Sequence, residues 1–273
     1  MSDPLDLRLL AACAIVREAG QLALDYFLRR ESLEIEFKGQ QDVVSIADRA
    51  VEDVIRAHLS RSFPDDDVIG EEGGYANDRG GDRVWVIDPI DGTANFLRGV
   101  PYWCVALAYV VRGRTELAVT YDPVHDDLFA ARRGQGASRN GRAIRVSGRT
   151  DPGRSAIGAA YAFKASMEAY LSLVDGMLRA GLDHRRLGSS ALMLCHAADG
   201  RLDGVALTYC HAWDVIGGLF LVEQAGGIAS DFLTDVGLTV PGPAFAGTPA
   251  LRPTLESLTG LRAARERANV GST

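Results

Sequence analysis

The chain has 273 residues, long for one average domain but within reach of a single large α/β unit or of two coupled halves. It is 47 % hydrophobic and 24 % charged with a net charge of −7, which supplies a core and argues against a nucleic-acid partner, whose binder would carry a basic footprint. No window approaches the roughly 18 apolar residues of a membrane span, and no basic lead precedes an apolar run at the N-terminus, so a soluble, cytoplasmic protein with no membrane partner is expected. The four cysteines, Cys13, Cys104, Cys195 and Cys210, lie far apart with no C-x-x-C pair, and are read as reduced and mostly buried.

Residues Leu5 to Arg30 carry apolar side chains at helical spacing (Leu9, Leu10, Cys13, Val16, Leu24, Phe27, Leu28) and predict an amphipathic helix. "LEIEF" alternates as a strand. A second helix is predicted from about Ser45, with Val51, Val54, Ile55 and Leu59 on its buried face and Pro64 beyond its end. "DVIGEEGG" predicts a short strand closing on two glutamates, and "DRVWVID" another. "WCVALAYVVRG" and "RTELAVTYDP" read as a pair turning at Arg112 to Arg114. "DLFAARRGQGASRNGRAIRV" continues the sheet, with Asn140-Gly141 as a type I′ hairpin signal. The first half is thus two helices and an antiparallel-looking sheet. After "SGRTDPGRS" strands and helices alternate: "SAIGAAY" a strand, "SMEAYLSLVDGMLRAG" and "SSALMLCHAADG" helices, "DGVALTY" a strand, and "DVIGGLFLVEQAGG" a helix closed by Gly226 and Gly227. "DHRRLG" reads as a basic loop, and "RERANVGST" is expected to fray. The halves are drawn at 1–150 and 151–273, as one structural unit.

The chemistry concentrates in "VWVIDPIDGTANFLRG". Val84 to Ile87 form the apolar run of a strand buried on both faces, Asp88 is the first residue beyond it, and Pro89 turns the chain so that Asp91 comes back beside Asp88. Two carboxylates held close repel unless a cation neutralises them, and Mg²⁺ takes oxygen ligands of this kind. Gly92 and Thr93 then open a helix, whose first amides and positive dipole end suit a phosphate. Taken alone, D-P-x-D-G-T is also a polar turn with Asp91 as a helix cap. Glu71 and Glu72 behind another apolar strand, and Asp214 at another helix start, favour the metal and phosphate reading.

"GEE", "WVIDPIDGTANF" and "AWDVIGG…EQAGG", with "FAARRGQGASRNGRAIRVS" and "RLGSSALMLCHAADGRLDG" in order between the last two, resemble the inositol monophosphatase family, within the lithium-sensitive, Mg-dependent sugar-phosphatase superfamily. The likeness runs from about Leu5 to Leu258. It implies a layered α-β-α-β-α sandwich of the inositol monophosphatase and fructose-1,6-bisphosphatase type, two to three Mg²⁺ per active site, inhibition by Li⁺, and a homodimer. By the same likeness Glu71, Asp88 and the carbonyl of Ile90 would hold one Mg²⁺, and Asp88, Asp91 and Asp214 a second. A third, weaker ion would lean on Glu71 through waters. Gly92 and Thr93 would bind phosphate, and Thr93 with Asp48 would orient the attacking water, so that Asp48, Glu71 and Thr93 form the catalytic set. Asp91 and Asp214 would also face the substrate, and Gly188, Ser189 and Ser190 could bind ring hydroxyls. Glu72 would support the site without ligating.

Two positions depart from the family pattern. Leu207 stands where members acting on inositol monophosphate carry a glutamate seven residues before the last motif aspartate; Thr208 or a shifted register is left to take over. Lys38 lies one residue nearer to Asp42 than the family spacing, which touches the loop that supports the third metal. The expected activity is a Mg²⁺-dependent phosphomonoesterase on a small-molecule phosphate ester, inositol monophosphate first. Histidinol phosphate, fructose 1,6-bisphosphate or a 3′-phosphoadenosine nucleotide are related alternatives. A regulatory binding protein on the same fold is the non-enzyme alternative. His211, three residues before Asp214, is a lesser candidate for substrate contact.

Overall fold

A computed structural model describes residues 3–32, 35–39, 42–76, 81–162 and 164–264. In chain order the elements are α1 (Pro4–Leu28), β1 (Ile35–Gly39), β2 (Asp42–Ser45), α2 (Ile46–Ser62), β3 (Asp67–Gly70), β4 (Gly74–Ala76), β5 (Arg83–Asp91), α3 (Thr93–Arg98), β6 (Cys104–Val111), β7 (Arg114–Asp122), β8 (Asp127–Arg132), β9 (Ala137–Arg139) and β10 (Arg142–Ile144). The second half carries β11 (Ala156–Ala160), α4 (Met167–Arg179), β12 (Asp183–Arg185), α5 (Ser190–Ala198), β13 (Gly204–Cys210), α6 (Ala212–Gln224), β14 (Ile228–Ala229), α7 (Phe232–Asp235), β15 (Gly242–Gly247) and α8 (Arg252–Thr259).

Eight strands form one sheet in the order β10-β9-β8-β7-β6-β5-β3-β4, five form another in the order β12-β11-β13-β15-β14, and β1 pairs with β2 alone. Strand β5 shows how the layers arise. Its residues alternate between two apolar clusters: Trp85 and Ile87 pack with α1 and α2, whereas Val84 and Val86 pack with α5 and α6. The five-stranded sheet repeats the pattern. Val205 and Ala246 face α5 and α6, while Ile157, Ala206 and Phe245 face Leu173 and Met177 of α4 and Leu255 of α8. The result is the expected α-β-α-β-α sandwich, with α5 and α6 between the sheets. Helix α6 is apolar nearly all round because both of its sides are covered.

The structure corrects several expectations. Strand β5 does not stop before Asp88; it continues to Asp91, which pairs with Cys104 after a register shift between Asp88 and Asp91. Pro89 has no N–H to give a ladder, and the irregularity absorbs it without ending the strand. The first-half sheet is not wholly antiparallel, since β3 and β5 run parallel. "DHR" of "DHRRLG" forms an edge strand, β12, parallel to β11. The face of α2 buries Asp48 and Glu52 beside Val51, Ile55 and Leu59, while Val54 is half-buried. Cys104, Cys195 and Cys210 are buried thiols, and Cys13 is half-buried. The expected fraying of residues 265–273 lies outside the described residues, as does the side chain of Lys38, whose backbone belongs to β1. Among the described residues no helix is long and apolar enough to cross a membrane.

Candidate metal centre

Four elements deliver acids to one place. Asp88 and Asp91 come from the end of β5, Asp214 from the first turn of α6, Glu71 from the residue after β3, and Asp48 from the first turn of α2. One carboxylate oxygen from each of Asp88, Asp91 and Asp214 lies within 4.8 Å of the others. Glu71 and Asp48 are close enough to act on the Asp88 charge.

The electrostatics follow from burial. Asp88 is 1 % exposed, and its Oδ1 is buried without a hydrogen-bond partner. Burial, followed by repulsion from Glu71, Asp91, Asp214 and Asp48, raises its carboxyl well above the ordinary range. Asp214 is pushed up to about 7, by burial first and by Asp91 second, against a lowering bond from the His211 amide. That amide donates to Asp214 Oδ2 at 2.6 Å, so the acid also closes the first turn of α6. Asp91 is raised by burial, but its neighbours oppose the rise. The Ser189 hydroxyl donates to its Oδ2, the Ala191 amide to Oδ2 at 2.7 Å, and the Ser190 amide to Oδ1 at 3.2 Å. These donors form the start of α5, where the helix dipole favours an anion. Two buried carboxylates and the half-buried Asp214 form a hard, all-oxygen set, which suits a divalent ion such as Mg²⁺.

Beside the acids, Gly92 precedes α3 with φ +100°, a conformation that penalises any side chain. A Cβ there would also stand 3.2 Å from the Gly188 carbonyl, Ser189 Cβ and the Tyr102 carbonyl. The Thr93 hydroxyl lies 3.2 Å from Asp48 Oδ1 and 3.0 Å from the Ile90 carbonyl. With one proton and two acceptors it donates to one of them at a time. The Ile90 carbonyl keeps a lone pair in either case.

The inositol monophosphatase family matches residues 5–264. The chain belongs to the inositol monophosphatase family. It is 38 % identical over 240 residues to Nus factor SuhB of Escherichia coli strain K12, covering 87 % of this chain and 90 % of that one. The solved structure of extragenic suppressor protein SuhB from Bartonella henselae superposes with a TM-score of 0.84 at 30 % identity, covering 94 % of this chain and 98 % of that one. Inositol monophosphatase from Anabaena (Nostoc) sp. PCC 7120 superposes at 0.81 with 28 % identity, covering 94 % and 96 %.

In this family member the sequence motifs converge, and other residues join them. Ser189 is committed to Asp91, and Ser190 gives Asp91 its amide. His211 caps α6 and stacks on Trp213 at 4.5 Å between ring centroids. Leu207 is 1 % exposed and packs in the core between the sheets. Glu72 contributes its amide to Glu52 at 2.9 Å. The sequence reading missed Glu52, which lay hidden among helix-surface acids. It also missed Asn95, whose Nδ2 donates to the carbonyls of Tyr102 and Leu187, both at 2.8 Å, tying α3 to the segment before α5. The one available signal for Asn95 was its place inside the D-G-T-x-N-F block.

Proposed function

We propose that this chain is a Mg²⁺-dependent phosphomonoesterase acting on a small polyol or sugar phosphate, with inositol monophosphate the first candidate. The observation that carries the reading is the acidic trio Asp88, Asp91 and Asp214, with carboxylate oxygens within 4.8 Å of one another and with Asp88 Oδ1 buried and unbonded. Asp88, Asp91 and Asp214 would hold one Mg²⁺, and Glu71, Asp88 and the Ile90 carbonyl another, with a third leaning on Glu71. Bound Mg²⁺ supplies positive charge against the phosphoryl oxygens and makes an attacking water more acidic.

The chain's own groups do the rest. When Thr93 hands its hydroxyl proton to Asp48, its oxygen is free to take a proton from the attacking water, so the pair orients the nucleophile and removes its proton. Gly92 and Thr93, at the start of α3, offer amides to the phosphate. Leu207 cannot accept a bond from a sugar hydroxyl, which weakens selection for inositol by about 1–3 kcal/mol. Thr208, whose hydroxyl is buried without a partner, is the nearest replacement in sequence. Inhibition by Li⁺ is expected from the resemblance to the lithium-sensitive superfamily.

A second reading is a regulatory binding role, favoured by the name Nus factor carried by the Escherichia coli relative. Phosphate release separates the two. Inositol 1-phosphate, histidinol phosphate, fructose 1,6-bisphosphate and glycerol 2-phosphate would each be assayed with Mg²⁺, with EDTA and with added Li⁺. Release that needs Mg²⁺ and falls with Li⁺ is expected. Absence of release from every ester would leave the binding role, and release indifferent to EDTA would remove the metal mechanism.

A further inference from the structure

Two acids sit one turn apart on the buried face of α2: Asp48 is 1 % exposed and Glu52 is 2 % exposed. Like charges four residues apart repel, and a buried carboxylate is costly without donors. Glu52 has three. Arg56 Nε donates to its Oε1 at 2.7 Å, the Gly73 amide to Oε1 at 2.9 Å, and the Glu72 amide to Oε2 at 2.9 Å. Both amides belong to the turn after β3, immediately beyond Glu71. The chain is fitted closely around this carboxylate: a Cβ at Gly70 would fall 2.5 Å from Oε1, and one at Gly73 2.8 Å from the same atom. Arg56 adds a second hold on the turn by donating from its terminal nitrogen to the Gly74 carbonyl at 2.8 Å.

We propose that Glu52 is a positioning residue for the metal centre: it clamps the turn of residues 71–73 against α2, so that the Glu71 carboxylate is presented beside Asp88. The proposal rests on the reading of Glu71 as a metal ligand. The amides that Glu52 holds are those of the two residues that follow Glu71, so their direction fixes where the ligand's backbone points. The same helix carries Asp48 one turn earlier, hydrogen-bonded to Thr93. Helix α2 therefore acts as a rigid ruler between the residue that handles the water proton and the residue that holds the Glu71 turn. Without the clamp, the turn's amides would bond to water, and Asp88, Asp91 and Asp214 would keep their places while Glu71 would not.

The test is calorimetric titration of Mg²⁺ into the metal-free full chain, its Glu52→Gln variant and its Gly73→Ala variant, with far-ultraviolet circular dichroism as the check on fold. Glutamine keeps the shape, but its amino group cannot accept the backbone N–H that the lost oxygen took. A Kd raised roughly 10- to 100-fold in Glu52→Gln, with an unchanged dichroism spectrum, is expected. Gly73→Ala should raise Kd in the same direction, because its methyl group enters the space of the Glu52 and Arg56 side-chain ends and forces clamp and turn apart. This variant carries the test should Glu52→Gln fail to fold. A Kd within about twofold of wild type in a folded Glu52→Gln, or in the Gly73→Ala that replaces it, overturns the proposal. Wild type that takes up no Mg²⁺ would sink the metal reading and this inference with it. Wild-type uptake matched by the variants would sink the inference alone.

Discussion

Asp91 is gripped from behind. The Ser189 hydroxyl and the amides of Ser190 and Ala191 point at its oxygens, and the Cys104 thiol lies 3.9 Å away. These donors orient the carboxylate but leave its charge facing Asp88 and Asp214. In Asp91→Asn the amide group cannot accept from two backbone N–H groups and brings no charge to a cation. Phosphate release should fall by at least about 100-fold. The metal-free thermal midpoint should stay level or rise, because a charge that repels Asp88 and Asp214 is gone. Initial-rate assays and thermal denaturation in EDTA check both halves, and a midpoint several degrees lower would mean that Asp91 serves the fold. At this scale the sequence announced Asp88 and Asp91 through an apolar run ending in acids, and Asp214 through its place at a helix start. It did not announce Ser189 as the partner of Asp91, since nothing local encodes a bond across 98 positions.

Helix α3 depends on its entry. Gly92 takes φ +100° with three heavy atoms 3.2 Å from where a Cβ would sit, so Gly92→Ala meets both backbone strain and crowding. A loss of about 1–3 kcal/mol in urea unfolding is expected, together with reduced turnover as the helix start shifts. Unchanged stability would show that the turn adapts without cost. Long elements with a clear period, such as α1 and α2, were legible because their apolar stripes declare the face that is covered, and α6 was legible as a continuous apolar run closed by glycines. The end of β5 was not, because Pro89 reads as a stop although the strand resumes pairing at Asp91. Strand β12 is three charged or polar residues with no alternation to see. Strand β15, "GPAFAG", reads as a loop by its glycines and proline, yet it pairs with both β13 and β14. Tertiary placement overrides local preference there.

Taken whole, the protein stores like charge between its layers. Asp88 and Asp214 have carboxyls raised by burial and by neighbouring acids, Asp214 to about 7, and Asp91 is raised by burial. The metal-free folded chain therefore binds more protons than the unfolded chain between about pH 4 and pH 7, and these groups make it less stable as pH rises through that window. A divalent ion takes the place of those protons. The rise in thermal midpoint produced by Mg²⁺ should accordingly grow between about pH 5 and pH 8. Scans with Mg²⁺ against EDTA at several pH values check this, and a gain that is flat with pH would count against the acids as the binding groups. The layered architecture itself followed from the family resemblance; the clamps and caps that aim the acids required coordinates.

The hydrogen bonds that join Asp91 to Ser189, Ser190 and Ala191 carry one more implication. They stitch a strand end from before residue 150 to a helix start from after it. Cleavage of the backbone between residues 147 and 155 would thus yield two pieces, neither holding all of the converging acids. Co-expressed as separate polypeptides, they would recover function only by re-docking along that seam, much as two torn halves of a ticket are valid only when matched.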